Sequence, residues 1–310
     1  MKTGKAFEIF VKRVLISIGF SEVKSDGLYV FEASPGQMIQ GLGEAHNADV
    51  LLEPPVQTPF FYKTRLLIEC KDYSKKIGLN TIRSVLGLRE DINNFEMVDV
   101  NKLELRRGQC RKGIIDTYDR CTYQVAIAAL NGYTKPAQQF ASTHRIPLIE
   151  FNKLTFWNDL EEILHEITDN DQLDDEEKEM RIHEFADNVG ERMAVAITNS
   201  GQMLFLHREV GHKNAFSDEY ELFWVSPRLS WKLVSGEAQY SFQLPKCILE
   251  QWLNNVENEF ELKKEAINCK EKLLSNMIVY YRDNGHPTIK MISIDRNRLN
   301  EFKRRLKYFN

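Results

Sequence analysis

The stretch Leu66-Leu67-Ile68-Glu69-Cys70-Lys71 constrains this chain more than any other. Three consecutive apolar residues read as a strand buried on both faces, which belongs in a sheet covered by helices on two sides. The strand then ends in two charges. Residues i and i+2 of a strand share a side, so Glu69 and Lys71 project together while Cys70 points the other way and packs. Charges at the end of a buried strand are costly unless they are paired or used. A surface ion pair accounts for Glu69 and Lys71 taken alone. A metal site accounts for them together with Asp49, which sits in the short strand Ala48 to Leu52, although Asp49 could also just start the turn before Pro54. In the metal reading, Asp49 and Glu69 give hard oxygen ligands to Mg2+, with Mn2+ as a substitute, and the carbonyl of Cys70 adds a third. Lys71 then stabilises an attacking hydroxide or a phosphorane-like transition state.

The elements around this strand read as α/β. Phe7, Phe10, Val11, Val14, Leu15 and Ile18 follow helical spacing from Gly4 to Ile18, and Gly19 stops the helix. A helix is expected from Leu79 to about Asn93, a buried strand from Gln124 to Leu130, a helix capped by Thr134 with Pro136 in its first turn, and a strand from Pro147 to Phe151. That order indicates an α/β sandwich around a mixed central sheet. Trp157, Leu160, Ile163, Leu164 and Ile167 then lie at helical spacing, and Asp169 to Glu179 is mostly acidic and expected to be solvated. The remainder reads as α+β. It opens with a hairpin turning at Ser200-Gly201, followed by strands Tyr220 to Val225, Leu229 to Val234 and Ala238 to Leu244. A long helix then carries Leu249, Trp252, Leu253, Val256 and Phe260 on one face, and a basic helix runs from Asn297 to Tyr308. The expected division is an α/β unit over residues 1–155, a helical acidic linker over 156–191 and an α+β unit over 192–310.

Charge narrows the class of partner. The 310 residues carry a formal net charge of −4. Residues 159–191 hold 14 acidic and 2 basic side chains, so the segments on either side are both net basic. A nucleic-acid partner therefore stays open, because the field that matters is local. The longest apolar run, Val125 to Leu130, is too short to span a bilayer, and the N-terminus lacks the apolar core of a signal peptide. No membrane role is expected. Five cysteines without a C-x-x-C pair argue against a disulfide framework or a structural zinc site, and point to a reducing cytoplasm.

An Asp, a spacer and then Glu-x-Lys across two adjacent strands resembles the PD-(D/E)xK, or restriction-endonuclease-like, nucleases. Two flanking stretches resemble the Mrr-type members. One is GKAFEIFVKRVLISIGF, through Phe7, Glu8, Val11, Leu15, Gly19 and Phe20. The other is AALNGYTKPAQQFASTHRIPLIEFNKL, through Gly132, Tyr133, Thr134, Ala137, Phe140, Ala141, His144, Ile146 and Leu148. The resemblance covers the first half of the chain and ends near residue 155. It implies a restriction-endonuclease-like fold there and phosphodiester hydrolysis, on DNA ahead of RNA, in restriction or antiphage defence. It also implies that Asp49 and Glu69 bind the metal, that Lys71 is the catalytic lysine, and that Glu8 supports or extends the site. The sequence departs from the pattern in three places. Ala48 stands where proline precedes the aspartate, Ser34 to Asn47 is longer and richer in glycine, and Asn94 to Cys121 looks like an insertion.

The residues also allow plainer readings. Glu8 could pair with Lys12 one turn on. Arg106, Arg107, Arg111 and Lys112 are either a solvated loop or a phosphate-contacting arm. His46 reads as a hydrogen-bonded loop residue, and Trp224 and Trp231 as core. Two further functions remain in view. One is an effector subunit of a larger defence complex, silent until a partner or small molecule acts on residues 192–310; the protein partner in view is a second copy in a homodimer or a protein of that complex. The other is a non-catalytic nucleic-acid-binding module.

Overall fold

The structure, a computed structural model of the chain, describes residues 2–27, 29–34, 36–57, 62–94, 121–154, 156–170, 172–211, 216–225, 229–254 and 256–307. The basic cluster from Arg106 to Lys112 lies outside them.

Helix α1 (Thr3–Ile18) buries the stripe that its periodicity predicts, from Phe7 to Ile18. Gly19 ends it with φ of 125°, its N–H bonding back to the carbonyls of Leu15 and Ile16. A side chain here would be strained by that φ, and its Cβ would stand 2.7 Å from the Cβ of Pro287. The chain continues through β1 (Ser21–Glu22), β2 (Val30–Ala33), β3 (Gly36–Gln40), β4 (Ala45–Asn47), β5 (Val50–Glu53) and β6 (Lys63–Lys71). Then come α2 (Leu79–Asn94), β7 (Cys121–Ala129), α3 (Lys135–Thr143), β8 (Leu148–Glu150) and a 3-10 turn (Phe151–Lys153).

Strands β2, β3 and β4 form a small antiparallel sheet. The glycine-rich stretch before Asp49 thus folds as a meander. The central sheet has the order β1-β5-β6-β7-β8. Its β1, β5 and β6 are antiparallel, while β6, β7 and β8 run parallel. One face packs against α1, with Val50, Ile68, Cys70, Ala126 and Ala128 in one cluster with Phe7 and Phe10. The other face, with Leu67, Val125 and Ile127, is covered by Ile82 and Val85 of α2 and Ala137 of α3. Both faces of β6 are therefore buried, as its apolar run requires. The architecture is mixed α/β.

Next come α4 (Trp157–Asp169) and α5 (Asp175–Gly190). A capping box starts α5, with Asp174 accepting from the Glu177 N–H and the Glu177 carboxylate returning to the Asp174 N–H. Leu160, Leu164, Ile167, Ile182 and Ala186 pack into the cluster around α1. Phe185 stacks on Phe10 at 5.6 Å, and Arg13 grips Asp187 at 2.8 and 2.6 Å.

The remaining elements are β9 (Met193–Thr198), β10 (Met203–Arg208), β11 (Glu221–Val225), β12 (Ser230–Ser235), β13 (Ala238–Phe242), α6 (Lys246–Leu253), α7 (Glu259–Leu273), β14 (Asn276–Asp283), β15 (His286–Ser293) and α8 (Arg296–Lys307). They build an antiparallel sheet of order β11-β12-β13-β10-β9-β14-β15. Two expectations change here. The long helix after Leu244 is two helices, because the Asn258 side chain caps a new start by accepting the Glu261 N–H. The β14–β15 hairpin had no counterpart in the sequence reading. It turns at Asn284 and Gly285, with φ of 49° and 81°.

The apolar cluster around α1 continues into this second sheet. Met193, Val195, Met203, Phe205 and Tyr280 belong to it, and Phe151 meets Phe205 with ring centroids 5.9 Å apart. No helix among the described residues is long and apolar enough to cross a membrane.

Candidate active site

The site is built at the carboxyl end of β6. The last β5–β6 pair is Val50 with Ile68, so Asp49 lies one residue beyond the ladder. Its carboxylate takes over where the ladder stops, and Oδ2 accepts the Cys70 N–H at 2.9 Å. The N–H and C=O of one strand residue face the same neighbour, so the Cys70 carbonyl leaves the strand towards Asp49 as well. On the other side of the strand, the Lys71 ammonium donates to Glu69 Oε2 at 2.8 Å and stands 3.6 Å from Asp49 Oδ2. Asn47 Nδ2 donates to Asp49 Oδ1 at 3.3 Å. Asp49, Glu69 and Lys71 are thus brought together.

Burial sets their electrostatics. The Glu69 side chain is 13% exposed and that of Asp49 12%. Burial raises the Glu69 carboxyl above its usual range, the Asp49 charge adds to this, and Lys71 only partly offsets it. Burial pulls the Lys71 ammonium down, but Glu69 and Asp49 outweigh it, and the net shift is upward. Two carboxylates share one ammonium, which leaves the trio with a net negative charge.

The donor set suits a hard divalent cation: carboxylate oxygens of Asp49 and Glu69, and the Cys70 carbonyl. Among the described residues no group of three or more His, Cys, Asp or Glu side chains gathers for a metal ion.

Glu8 lies on α1, which packs against the Cys70 face of the sheet, and pairs with Lys5 at 3.0 Å. Its charge is one cause that raises the buried Cys70 thiol, after burial and Asp49. Lys12, the alternative partner, pairs with Glu22 at 3.2 Å.

Two further features escaped the sequence reading. Glu150 ends β8 in the same cross-strand row as Lys71, with only Ala129 between them. Two strand spacings put the two residues' backbones about 10 Å apart. Gln138 donates to Glu150 at 2.9 Å, and Lys153 pairs with it at 2.7 Å. The signal was available, since Leu148-Ile149-Glu150 is again a buried strand ending in a charge. The second feature is Asp91 on α2. It meets His46 Nε2 at 2.6 Å and accepts the Gly43 N–H at 2.8 Å. The hydrogen bonds from His46 and Gly43 hold the Asp91 carboxyl below its usual range. No local spacing links residues 46 and 91, so nothing in the sequence marks this pair.

No family model matches the chain, and comparison with curated proteins gives no match. A crystal structure of a protein of unknown function, AF1548, is similar over 60% of this chain and 97% of its own, with 14% identity and a TM-score of 0.32. At that level the likeness bears on neither fold nor function.

Proposed function

We propose that this chain is a metal-dependent endonuclease that hydrolyses phosphodiester bonds in nucleic acid, DNA ahead of RNA. The observation that carries the reading is the Lys71 ammonium held 2.8 Å from Glu69 and 3.6 Å from Asp49 at the end of a buried strand. The resemblance of the first half to Mrr-type PD-(D/E)xK nucleases supports it, as does the all-oxygen donor set.

In this reading Asp49, Glu69 and the Cys70 carbonyl would hold Mg2+ or Mn2+, and the ion would supply Lewis-acid charge for the hydrolysis. Asp49 is oriented by the Cys70 N–H. Lys71 places its positive charge where negative charge builds on the phosphate oxygens. Burial and the Asp49 charge raise the Glu69 carboxyl above its usual range. Glu8 supports or extends the site from α1, as the resemblance implies. Residues 1–155 carry the chemistry, and residues 192–310 supply recognition, dimerisation or control, in restriction or antiphage defence in the cytoplasm.

The test is incubation of the purified chain with plasmid, linear DNA and RNA, each with Mg2+, Mn2+ or EDTA. Cleavage of DNA with either metal, abolished by EDTA, is the expected result. Undiminished cleavage in excess EDTA would sink the two-carboxylate mechanism.

A further inference from the structure

Beyond β8, the last strand of the central sheet, a cleft of about 230 Å3 opens against the seven-stranded sheet. Its walls differ in kind. One is apolar, formed by Leu148, Leu154, Met193, Met203 and Phe205. The other is polar. His207 pairs with Ser241 and Ser241 with Lys232, so the three stand in one row across β10, β13 and β12. Ser230 lies on the same face, two residues from Lys232. The alternate residues Leu206, Phe242, Trp231 and Leu233 turn the other way, into the core under α6 and α7.

This row opens on the cleft, with His207, Lys232 and Ser241 half-buried, so its polar groups are free to meet a ligand. Lys232 meets Glu209 at 2.8 Å. The His207 imidazole and the hydroxyls of Ser230 and Ser241 have no side-chain hydrogen bond among the described residues, and Ser230 is only 8% exposed. Burial, with the nearby Arg192 charge, lowers the His207 pKa below its usual 6.5, so the ring is neutral at pH 7. It then offers one donor and one acceptor, and each hydroxyl offers both.

The cations at the cleft are already matched. Lys153 pairs with Glu150, Lys232 with Glu209 and Lys246 with Glu250. Among the lining residues no unpaired cation asks for a phosphate. The volume lies below the roughly 300–1,000 Å3 of drug-sized sites, which leaves room for one or two rings. A flat ring suits Phe205 and the polarisable sulfurs of Met193 and Met203.

We infer that this cleft binds a small neutral heterocycle of the nucleobase or nucleoside class. Its face lies on Phe205 and the methionines, and its edge meets the row of His207 and Ser241. This goes beyond the nuclease reading and does not rest on it.

Calorimetry on the full chain tests it, with adenosine, guanosine, cytidine, uridine, their 5′-monophosphates and free ribose as probes. At least one nucleoside binds and ribose does not. Ser241→Ala and His207→Gln each weaken that binding roughly tenfold, the worth of one hydrogen bond to a buried group. Both keep the wild-type melting curve, and Lys71→Ala leaves the affinity unchanged. The inference is overturned if no nucleoside binds at about 1 mM, a ceiling for a specific small-ligand site. It is equally overturned if both variants bind as the wild type does. A monophosphate that binds more tightly than its nucleoside overturns the neutral class.

Discussion

The carboxylate of Asp49 accepts the backbone N–H of Cys70 at 2.9 Å. This one bond continues the β5–β6 pairing past its last residue pair and fixes a charged group beside Glu69 and Lys71. Asp49 is thus both a structural acceptor and a candidate ligand, and two substitutions separate the roles. Asp49→Asn keeps an oxygen for the Cys70 N–H but removes the charge. It should melt near the wild type and lose metal binding and cleavage together. Asp49→Ala leaves the N–H without its acceptor and should lose a further 1–3 kcal/mol, roughly the cost of an unmade buried hydrogen bond. Urea denaturation and Mg2+ titration of both variants check this. Equal stability of the two would mean that the bond does not hold the strand.

Among the described residues, Lys71 is the one cation paired with two mostly buried carboxylates. Lys71→Met should lower cleavage on the order of 10²–10³-fold, the usual loss for one preorganised charge at a transition state. It should also destabilise the fold by about 1–3 kcal/mol, since Glu69 loses its hydrogen-bonded cation. Metal should recover part of that stability by replacing the missing charge. Single-turnover cleavage and melting with and without Mg2+ measure all three. Wild-type turnover in Lys71→Met would make Lys71 a structural partner only.

The raised Glu69 pKa gives a pH dependence of known sign. The folded state binds this proton more tightly than the unfolded chain. The resulting stability is fully present below the ordinary value of 4.5 and is lost as pH rises through the folded value. Glu69→Gln is neutral throughout. Its stability relative to the wild type should therefore be greater at about pH 8 than at about pH 5. Urea melts of both proteins at the two values decide it, and a difference that grows towards acid would reverse the sign.

Phe10 is fully buried, meeting Phe151 of the first half at 6.1 Å and Phe185 of α5 at 5.6 Å. Its cluster runs on to Phe205 and Tyr280 in the second sheet. Thermal unfolding of the full chain should therefore be one cooperative transition. Phe10→Ala should lower the whole of it by about 3–5 kcal/mol, as for other buried aromatic truncations. Calorimetry that resolved two transitions, only one of them shifted by the substitution, would mean that residues 1–155 and 192–310 unfold as separate units.

The elements that the sequence determined by itself are those whose signal is local. The stripe from Phe7 to Ile18 with Gly19 behind it, the apolar run of β6 and the Ser200-Gly201 turn each need only the residues in view. Glu69 and Lys71 were legible as a pair for the same reason, since the two-residue period of a strand puts them on one side. Where two local signals competed, the weaker was misjudged. The helical spacing from Leu249 to Phe260 hid the cap at Asn258, and the Asn284-Gly285 turn of the β14–β15 hairpin went unread. Everything that depends on which strand lies next to which was decided by tertiary structure. The placement of β14 beside β9, the row from Lys71 through Ala129 to Glu150, the His46–Asp91 contact and the approach of Glu8 to Cys70 are all of this kind. The physical reason is that periodicity and turn chemistry are properties of neighbours along the chain. Pairing order and the meeting of distant side chains instead follow from how whole apolar faces find cover, which no short window of sequence contains.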